Sequence, residues 1–435
     1  MTAAIEPDPI SAPPTLRGRV IGLFQRNATW VLIDQGIVSV GNFLTAKGLG
    51  SYLPRGDFGN FGLLIETMLF LNSLQAALVI YPMTIKGATG DRENLGRMAS
   101  ASAILTLLLL PLLGAGMAGS VAQALHGWSI AVPAVAAMLL WQLQEMTRRA
   151  LMADMRFADT IWGDFISYPG QAIGVTVLGK LGMLTLYNAF VVMAATSAIA
   201  IFIQAIQIGL RTIQTQQIKT VALEFWRLGR WVMLSNGGTI VTSLGYWWTL
   251  QAYYGPDDCG VFNAIVQLFK PANPIMNSMN GLIVPAVARV SASEGVKAAT
   301  RKAWRYILFG ALLLTPYFLL LIVFPDFVLK HFYRPEQHYD QYGNWLRLFV
   351  LNYSAVFVAA MLGAWLGGLG KSHHNFHARL TDMIATLLIG LPCTAKWGVP
   401  GLIIGGLVAS VINAVTSAYF IHQVAYKQGH APSAS

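Results

Sequence analysis

The chain has 435 residues, 55% of them hydrophobic and only 11% charged, with a formal net charge of +10. A typical soluble domain is about 25% charged, so a soluble enzyme or a soluble binding module is excluded as the class of the whole chain. The basic balance invites a nucleic-acid partner, but the placement of the charges along the chain gives it a different cause.

Residues 1–15, rich in Pro, Ala, Ser, Glu and Asp, read as a short disordered tail, and no cleavable signal peptide is visible. Apolar runs of about 18–25 residues then recur, each long enough to cross about 30 Å of hydrocarbon as a helix. There are twelve: 29–46, 58–82, 98–119, 128–146, 160–180, 184–210, 231–253, 261–285, 303–324, 345–368, 379–395 and 399–424. Only Ala395 to Pro400 separates the last two. With the N-terminus inside, the cytoplasmic segments hold 21 Lys/Arg, among them Arg148, Arg149 and Arg156, and the outer loops and their edges hold 7. Those seven are Lys47, Arg55, Lys180, Lys330, Arg334, Arg347 and Lys396. The threefold excess predicts both termini on the cytoplasmic side. Topology therefore accounts for the basic charge, and no nucleic acid is implied.

Segments 30–61 and 231–262 align without a gap, 201 positions apart, with 9 identities in 32 positions. Trp30 falls on Trp231, Gly36 on Gly237, Tyr52 on Tyr253, Asp57 on Asp258, Gly59 on Gly260 and Phe61 on Phe262. Further on, Glu66 falls on Gln267 and Asn72 on Asn273. Six spans separate the two starts, so the halves are parallel repeats, the plan of many secondary transporters. The expected organisation is a tail over 1–27, a six-helix lobe over 28–210, a cytoplasmic linker over 211–230, a second six-helix lobe over 231–426 and a tail over 427–435. The linker is basic. Its apolar residues Ile213, Ile218, Val221, Leu223, Phe225 and Trp226 suit a helix on the inner surface, acting as a hinge between rocking lobes or as a plain surface helix. The largest outer connection, Pro325–Asn344, has room for a short helix. No loop has room for a soluble catalytic domain, and no P-loop motif is present.

Ionisable residues within spans are costly and are functional candidates by default. Lys270 lies about 14 Å along a helix starting near Val261, at 1.5 Å per residue. It opens Lys270-Pro271-Ala272-Asn273-Pro274, where two prolines remove backbone donors and should break the helix. A cation on a broken helix suits an anion, or else it is a structural lysine paired with a carboxylate. Glu66 lies at similar depth, and Gln267, its repeat partner, sits one turn before Lys270. A Glu66–Lys270 pair is either structural or a latch that an anionic substrate opens. Asp34, beside Gln35, is either the site of a coupling proton or cation, or a hydrogen-bonded structural acid. Asn42, Asn72, Gln75, Gln251, Asn263, Asn273, Asn277, Asn280 and Asn352 suit a wet cavity for sugar hydroxyls, or bonds between helices. Asp164 and Asp382, near span ends, are expected to be solvated.

Three features read as bland. His373 and His377 have i, i+4 spacing, but no carboxylate or cysteine joins them, so solvated histidines on a short connection are expected. Cys259 and Cys393 give no disulfide framework. Gly363–Gly367 and Gly401–Gly405 have a spacing that allows close helix contact. No catalytic or metal constellation emerges, and no cofactor is implied.

Several segments together resemble the Wzx-type polysaccharide flippases of the multidrug/oligosaccharidyl-lipid/polysaccharide exporter superfamily. They are Asp34-Gln35 and Asn42-Phe43, the turn Leu53-Pro54-Arg55-Gly56-Asp57-Phe58-Gly59-Asn60-Phe61-Gly62, Arg148-Arg149-Ala150-Leu151, and Gly260-Val261-Phe262-Asn263-Ala264 with Pro285. The resemblance covers nearly the whole chain. It implies an all-α polytopic membrane protein with about twelve transmembrane helices in two lobes around a central cavity. It also implies export of undecaprenyl-pyrophosphate-linked oligosaccharide across the bacterial inner membrane for polysaccharide biosynthesis. The partners would be the lipid-linked oligosaccharide, membrane lipids, and glycan polymerase and chain-length proteins. Candidate substrate-binding residues are then Lys270, Asn273, Asn277 and Gln267, with Asp34 and Glu66 for ion coupling. The alternatives are a cation-coupled multidrug or metabolite antiporter of the same superfamily, in which the acids bind substrate, and a membrane glycosyltransferase or glycan polymerase.

Overall fold

The computed structural model describes residues 16–87, 92–211 and 215–429; the side chains at 16–28, 92, 215–217, 231, 234–241 and 425–429 lie outside that description. The expected tail over 1–15 and the linker residue Ile213 fall outside it too. In hydrocarbon every backbone N–H and C=O must be satisfied within its own segment, so apolar runs without breakers become helices. Twelve long helices result, with no strand among the described residues. They are α1 (Leu16–Tyr52), α2 (Arg55–Gly87), α3 (Arg92–Leu125), α4 (Ala131–Ala153), α5 (Phe157–Lys180) and α6 (Leu186–Ile208). There follow α7 (215–254), α8 (256–294), α9 (Val296–Val323), α10 (Gly343–Gly368), α11 (372–397) and α12 (399–429). The chain is a multi-pass membrane protein. Six stretches are long and apolar enough to qualify as spans on those grounds alone. Several of the others carry polar and charged side chains turned inward, among them Asp34 on α1, Gln142 and Arg148 on α4, and Asp164 on α5.

Three helix junctions are single glycines in left-handed backbone, one of them Gly295 (φ 83°) between α8 and α9. Gly255 (φ 82°) ends α7 and Gly398 (φ 63°) ends α11. A side chain would crowd the backbone there, and these glycines reverse the chain without a loop. Because α8 begins at Pro256, Lys270 lies 14 residues along it, about 21 Å at 1.5 Å per residue, deeper than the sequence-based start near Val261 implied. The helix breaks at the prolines as expected: Lys270–Ala272 is a 3₁₀ turn between two α-helical segments.

The two halves repeat one packing pattern. In the first, α1 lies on α5 with no room for side chains at Gly41, Gly48 and Gly179, which face Tyr168, Val175 and Tyr52. In the second, α7 lies on α11, and Gly390 and Gly398 face Tyr246 and Tyr254. The pairs α4–α6 and α10–α12 correspond in the same way. The basic stretch does not form a separate element. From Thr215 it is helical and runs without interruption into α7. Val221 and Phe225 are buried against Val79, Met83, Leu95 and Leu151 of the first half, and Lys86 pairs with Glu224 at 2.9 Å. Leu223 and Trp226, expected on the buried side, are half exposed.

The halves meet where α2 and α8 begin. A Cβ on Gly59 would strike the Pro256 carbonyl, and one on Gly260 would strike the Arg55 carbonyl. These contacts are reciprocal, since Arg55 and Pro256 are themselves 201 positions apart, so the pseudo-twofold axis passes between them. Asn263 Nδ2 donates to the Phe58 carbonyl at 2.8 Å, and Gln251 donates to Asn60 at 3.2 Å across the same seam. The 325–342 segment caps this end. It contains the expected short helix, Pro325–Phe332. Arg55 donates to the Gln337 carbonyl at 2.7 Å and to the Tyr342 hydroxyl at 3.1 Å, while Gln337 donates to the Leu53 carbonyl.

A Gly59→Val exchange should force this seam apart. In a Cys259→Ser/Cys393→Ser background carrying Asn60→Cys, labelling of the new thiol by a membrane-impermeant maleimide should rise several-fold. Unchanged labelling would mean that the Gly59 contact does not hold the halves together.

Candidate functional site: a central cavity and a buried ion network

A cavity of about 330 Å³ lies between the halves, just inside the α2–α8 seam. Leu49, Phe61, Gly62, Trp247 and Asn263 line it together with Glu66, Gln267, Lys270 and Asn273. Lys270 is half-buried and sits where the 3₁₀ turn begins, so its side chain leaves α8 at the break. Among the described residues no carboxylate comes within 4 Å of it; the acid whose charge acts on it is Glu66. Glu66 accepts a long hydrogen bond (3.4 Å) from Ser243 of α7. Gln267 donates to Asn263 at 2.7 Å, but its buried Oε1 has no protein partner among the described residues. Asn273 Oδ1 accepts from the Tyr353 hydroxyl at 2.5 Å. Asn42 and Gln171 add amide groups, while Trp141 and Tyr168 add aromatic faces. The cavity thus offers one cation, one acid, several amides and flat apolar faces, a set that can hold an anionic centre beside hydroxyl-rich rings.

Asp34 is elsewhere. It is 0% exposed, and Arg148 Nη2 donates to it at 2.6 Å. Arg148 Nε donates to Asp164 at 2.6 Å, and a third, weaker contact reaches Glu145 at 3.3 Å. Thr160 donates to the second Asp34 oxygen at 3.0 Å. Gln204 donates to Asp164 at 3.4 Å and accepts from Thr147 at 2.7 Å. Asp164 is therefore not solvated, as its place near a span end suggested, but 0% exposed. Arg148 is likewise no cytoplasmic loop charge; it is 4% exposed inside the first half. The reason is helix length: α1 begins at Leu16, well before the apolar run at 29, and α5 begins at Phe157. Both acids thereby move away from the ends. Glu145 is also held by Arg149 at 2.6 Å, so the inner core is one guanidinium shared by two carboxylates.

Four sequence candidates thus share one cavity: Lys270, Gln267, Asn273 and Glu66. Asn277, one turn beyond Asn273 on α8, is exposed and outside the lining. Of the other polar candidates, Asn42 and Asn263 reach the cavity, whereas Gln75 bonds Thr106 in a buried contact between α2 and α3. Sequence reasoning missed Arg148, Asp164, Trp141, Tyr168, Gln171 and Trp247. Two of them carried a signal: Asp164 as an acid within the 160–180 run, and Arg148 as part of Arg148-Arg149-Ala150-Leu151. His373 and His377 lie exposed on α11 rather than in a connection, and no group of three metal-ligating residues occurs among the described residues. Cys259 and Cys393 are free.

No family model matches the chain, and no curated protein matches it by sequence. Solved structures do. An inward-facing conformation of a multidrug resistance MATE family transporter of the MOP superfamily is 13% identical, with a TM-score of 0.70 over 91% of this chain and 96% of that one. The lipid II flippase MurJ, in an inward closed conformation, is 10% identical, with a TM-score of 0.67 over 90% of this chain and 87% of that one. An outward-facing MATE family conformation is 10% identical, with a TM-score of 0.57 over 94% and 96%. The chain has the fold of these MOP-superfamily transporters: twelve helices in two pseudo-symmetric six-helix lobes around a central cavity.

Proposed function

We propose that this protein translocates lipid-linked (undecaprenyl-pyrophosphate) oligosaccharide across the bacterial inner membrane by alternating access, with both termini cytoplasmic. The observation that carries the reading is Lys270, on a broken helix inside a cavity otherwise lined by amides and aromatic faces. A pyrophosphate needs a cation in a desolvated place. Sugar rings need amide partners and flat apolar surfaces, which Gln267, Asn273 and Trp141 supply. Glu66 acts as the latch: it faces Lys270 when the cavity is empty and is displaced electrostatically when the pyrophosphate arrives. The cavity of about 330 Å³ takes the head group. The remaining glycan occupies space that opens when the lobes part, with Asn277 on its route. The sealed α2–α8 seam is then the outer gate of an inward-facing state. Higher likeness to an inward-facing relative (TM-score 0.70) than to an outward-facing one (0.57) supports that assignment.

Coupling is assigned to the Asp34–Arg148–Asp164 core. With both acids ionised it carries one surplus negative charge, a place where a proton or monovalent cation is accepted. Asp34→Asn should then transport at a rate that no longer varies with pH. A pH profile identical to wild type would remove Asp34 from coupling. The second reading, a multidrug or metabolite antiporter, is favoured by Glu66, the carboxylate in the cavity lining. The two readings separate on deletion of the gene. The flippase reading predicts loss of a surface or secreted polysaccharide, with its lipid-linked unit retained in the inner leaflet. Normal polysaccharide together with new sensitivity to cationic drugs would establish the antiporter instead.

A further inference from the structure

A second concavity, of about 800 Å³, lies on the outside of the bundle between α1, α5 and the 325–342 segment. It shares no lining residue with the central cavity. Helix α1 separates the two. Asn42, Ala46 and Leu49 face the central cavity, whereas Leu44, Lys47 and Ser51 face the groove. The groove walls are apolar: Leu44, Ile173 and Val177 are 46%, 62% and 49% exposed to it and its surroundings. Its floor is made by Gly48 and Ala172. From Leu44 to Tyr52 it runs eight residues along α1, about 12 Å at 1.5 Å per residue.

Cations border this apolar slot. Lys47 comes from α1, and Lys330 and Arg334 come from the capping segment, with His331 between them. These are three of the seven basic residues that the positive-inside pattern leaves on the far side. Two of the three cations pack on aromatic rings rather than against an acid. Lys47 Nζ sits 5.5 Å from the centre of the Phe332 ring, and the Arg334 guanidinium sits 4.6 Å from that of Tyr52. Among the described residues none of the three has a carboxylate within 4 Å, and no acid lines the groove. Asp326, in the same segment, is turned away against Gly343. Three cations from two separate elements, with no carboxylate within 4 Å among the described residues, beside an apolar slot have the charge and shape complementary to a phosphate with a hydrocarbon tail.

We propose that this groove is a specific site for a phosphate-headed lipid of the leaflet at the seam end of the bundle. Its head lies among Lys47, Lys330 and Arg334, and its chain lies along Leu44, Ile173 and Val177. The site does not depend on the identity of the transported substrate. A lipid seated there ties α1 to the segment that clasps both halves through Arg55 and Gln337, and so stabilises the closed seam.

The test is native mass spectrometry of the purified full chain in detergent, titrated with phosphatidic acid, phosphatidylcholine or inorganic phosphate. One tight phosphatidic acid adduct is expected, with phosphatidylcholine much weaker and no displacement by inorganic phosphate at equal concentration. A Lys47→Gln/Lys330→Gln/Arg334→Gln variant should weaken that adduct by roughly 100-fold, at about fivefold per Lys or Arg near an anionic lipid. The control Lys180→Gln/Lys396→Gln should leave it unchanged. Ile173→Trp, a change at an exposed position that fills the slot without touching the cations, should also weaken it. An unchanged adduct in both the triple variant and Ile173→Trp would overturn the proposal. So would displacement of the lipid by inorganic phosphate, which would make the groove a site for a free anion.

Discussion

Lys270→Ala is expected to lower transport about 10- to 100-fold, because hydrogen bonds to a charged group contribute about 1.5–3 kcal/mol and each 1.4 kcal/mol is tenfold. The protein should remain folded and inserted. Lys270 forms no hydrogen bond or close ion pair among the described residues, so its removal leaves no partner stranded. The nearest acid acting on it, Glu66, retains Ser243. Lys270→Arg should keep part of the activity, since the charge survives while its planar fork fits a different geometry. Melting temperature together with transport in reconstituted vesicles checks both statements. Full activity in the alanine variant would remove Lys270 from substrate binding. Loss of folding would make it a structural lysine.

Arg148→Met should behave in the opposite way, acting on stability before activity. Its guanidinium is the cation between Asp34 and Asp164, each 0% exposed. Removing one partner of a buried ionic cluster typically costs about 3–5 kcal/mol, because the other charges are left uncompensated. The expected result is poor insertion and a large drop in melting temperature. Adding Asp34→Asn and Asp164→Asn to Arg148→Met should recover most of the stability, since the stranded charges are then gone. If Arg148→Met alone melts like wild type, the three residues do not form the ionic unit described above.

The helices were legible in the sequence because each one satisfies its own backbone, so a local run is informative, although only six stretches are apolar enough to qualify as spans on that ground alone. The break at Lys270 was legible for the same local reason: Pro271 and Pro274 act on their own helix. The repeat identified Gly59 and Gly260, and their reciprocal contact explains why neither position has room for a side chain. What the sequence did not reveal is non-local. Asp34 and Arg148 are 114 positions apart, and nothing in either segment names the other. The start of the first apolar run at 29 also suggested a tail over 1–27, whereas α1 extends back to Leu16, and that extension sets Asp34 well inside the helix. The linker expected over 211–230 was read from its basic residues. Its burial against Met83 and Leu95 depends on helices that sequence alone does not bring together. The aromatic lining was hidden because Trp and Tyr occur throughout an apolar chain, and only three-dimensional packing selects Trp141, Tyr168 and Trp247.

The most direct test of the central claim is a flipping assay in proteoliposomes. Purified protein is reconstituted with a fluorescent undecaprenyl-pyrophosphate oligosaccharide, and an added quencher or glycosidase that cannot cross the bilayer reports the fraction in the outer leaflet. Protein-dependent redistribution of the lipid-linked glycan between leaflets is expected, slowed about 10- to 100-fold by Lys270→Ala and partly retained by Lys270→Arg. Redistribution no faster than in protein-free vesicles, in a preparation whose melting shows it to be folded, would contradict the claim.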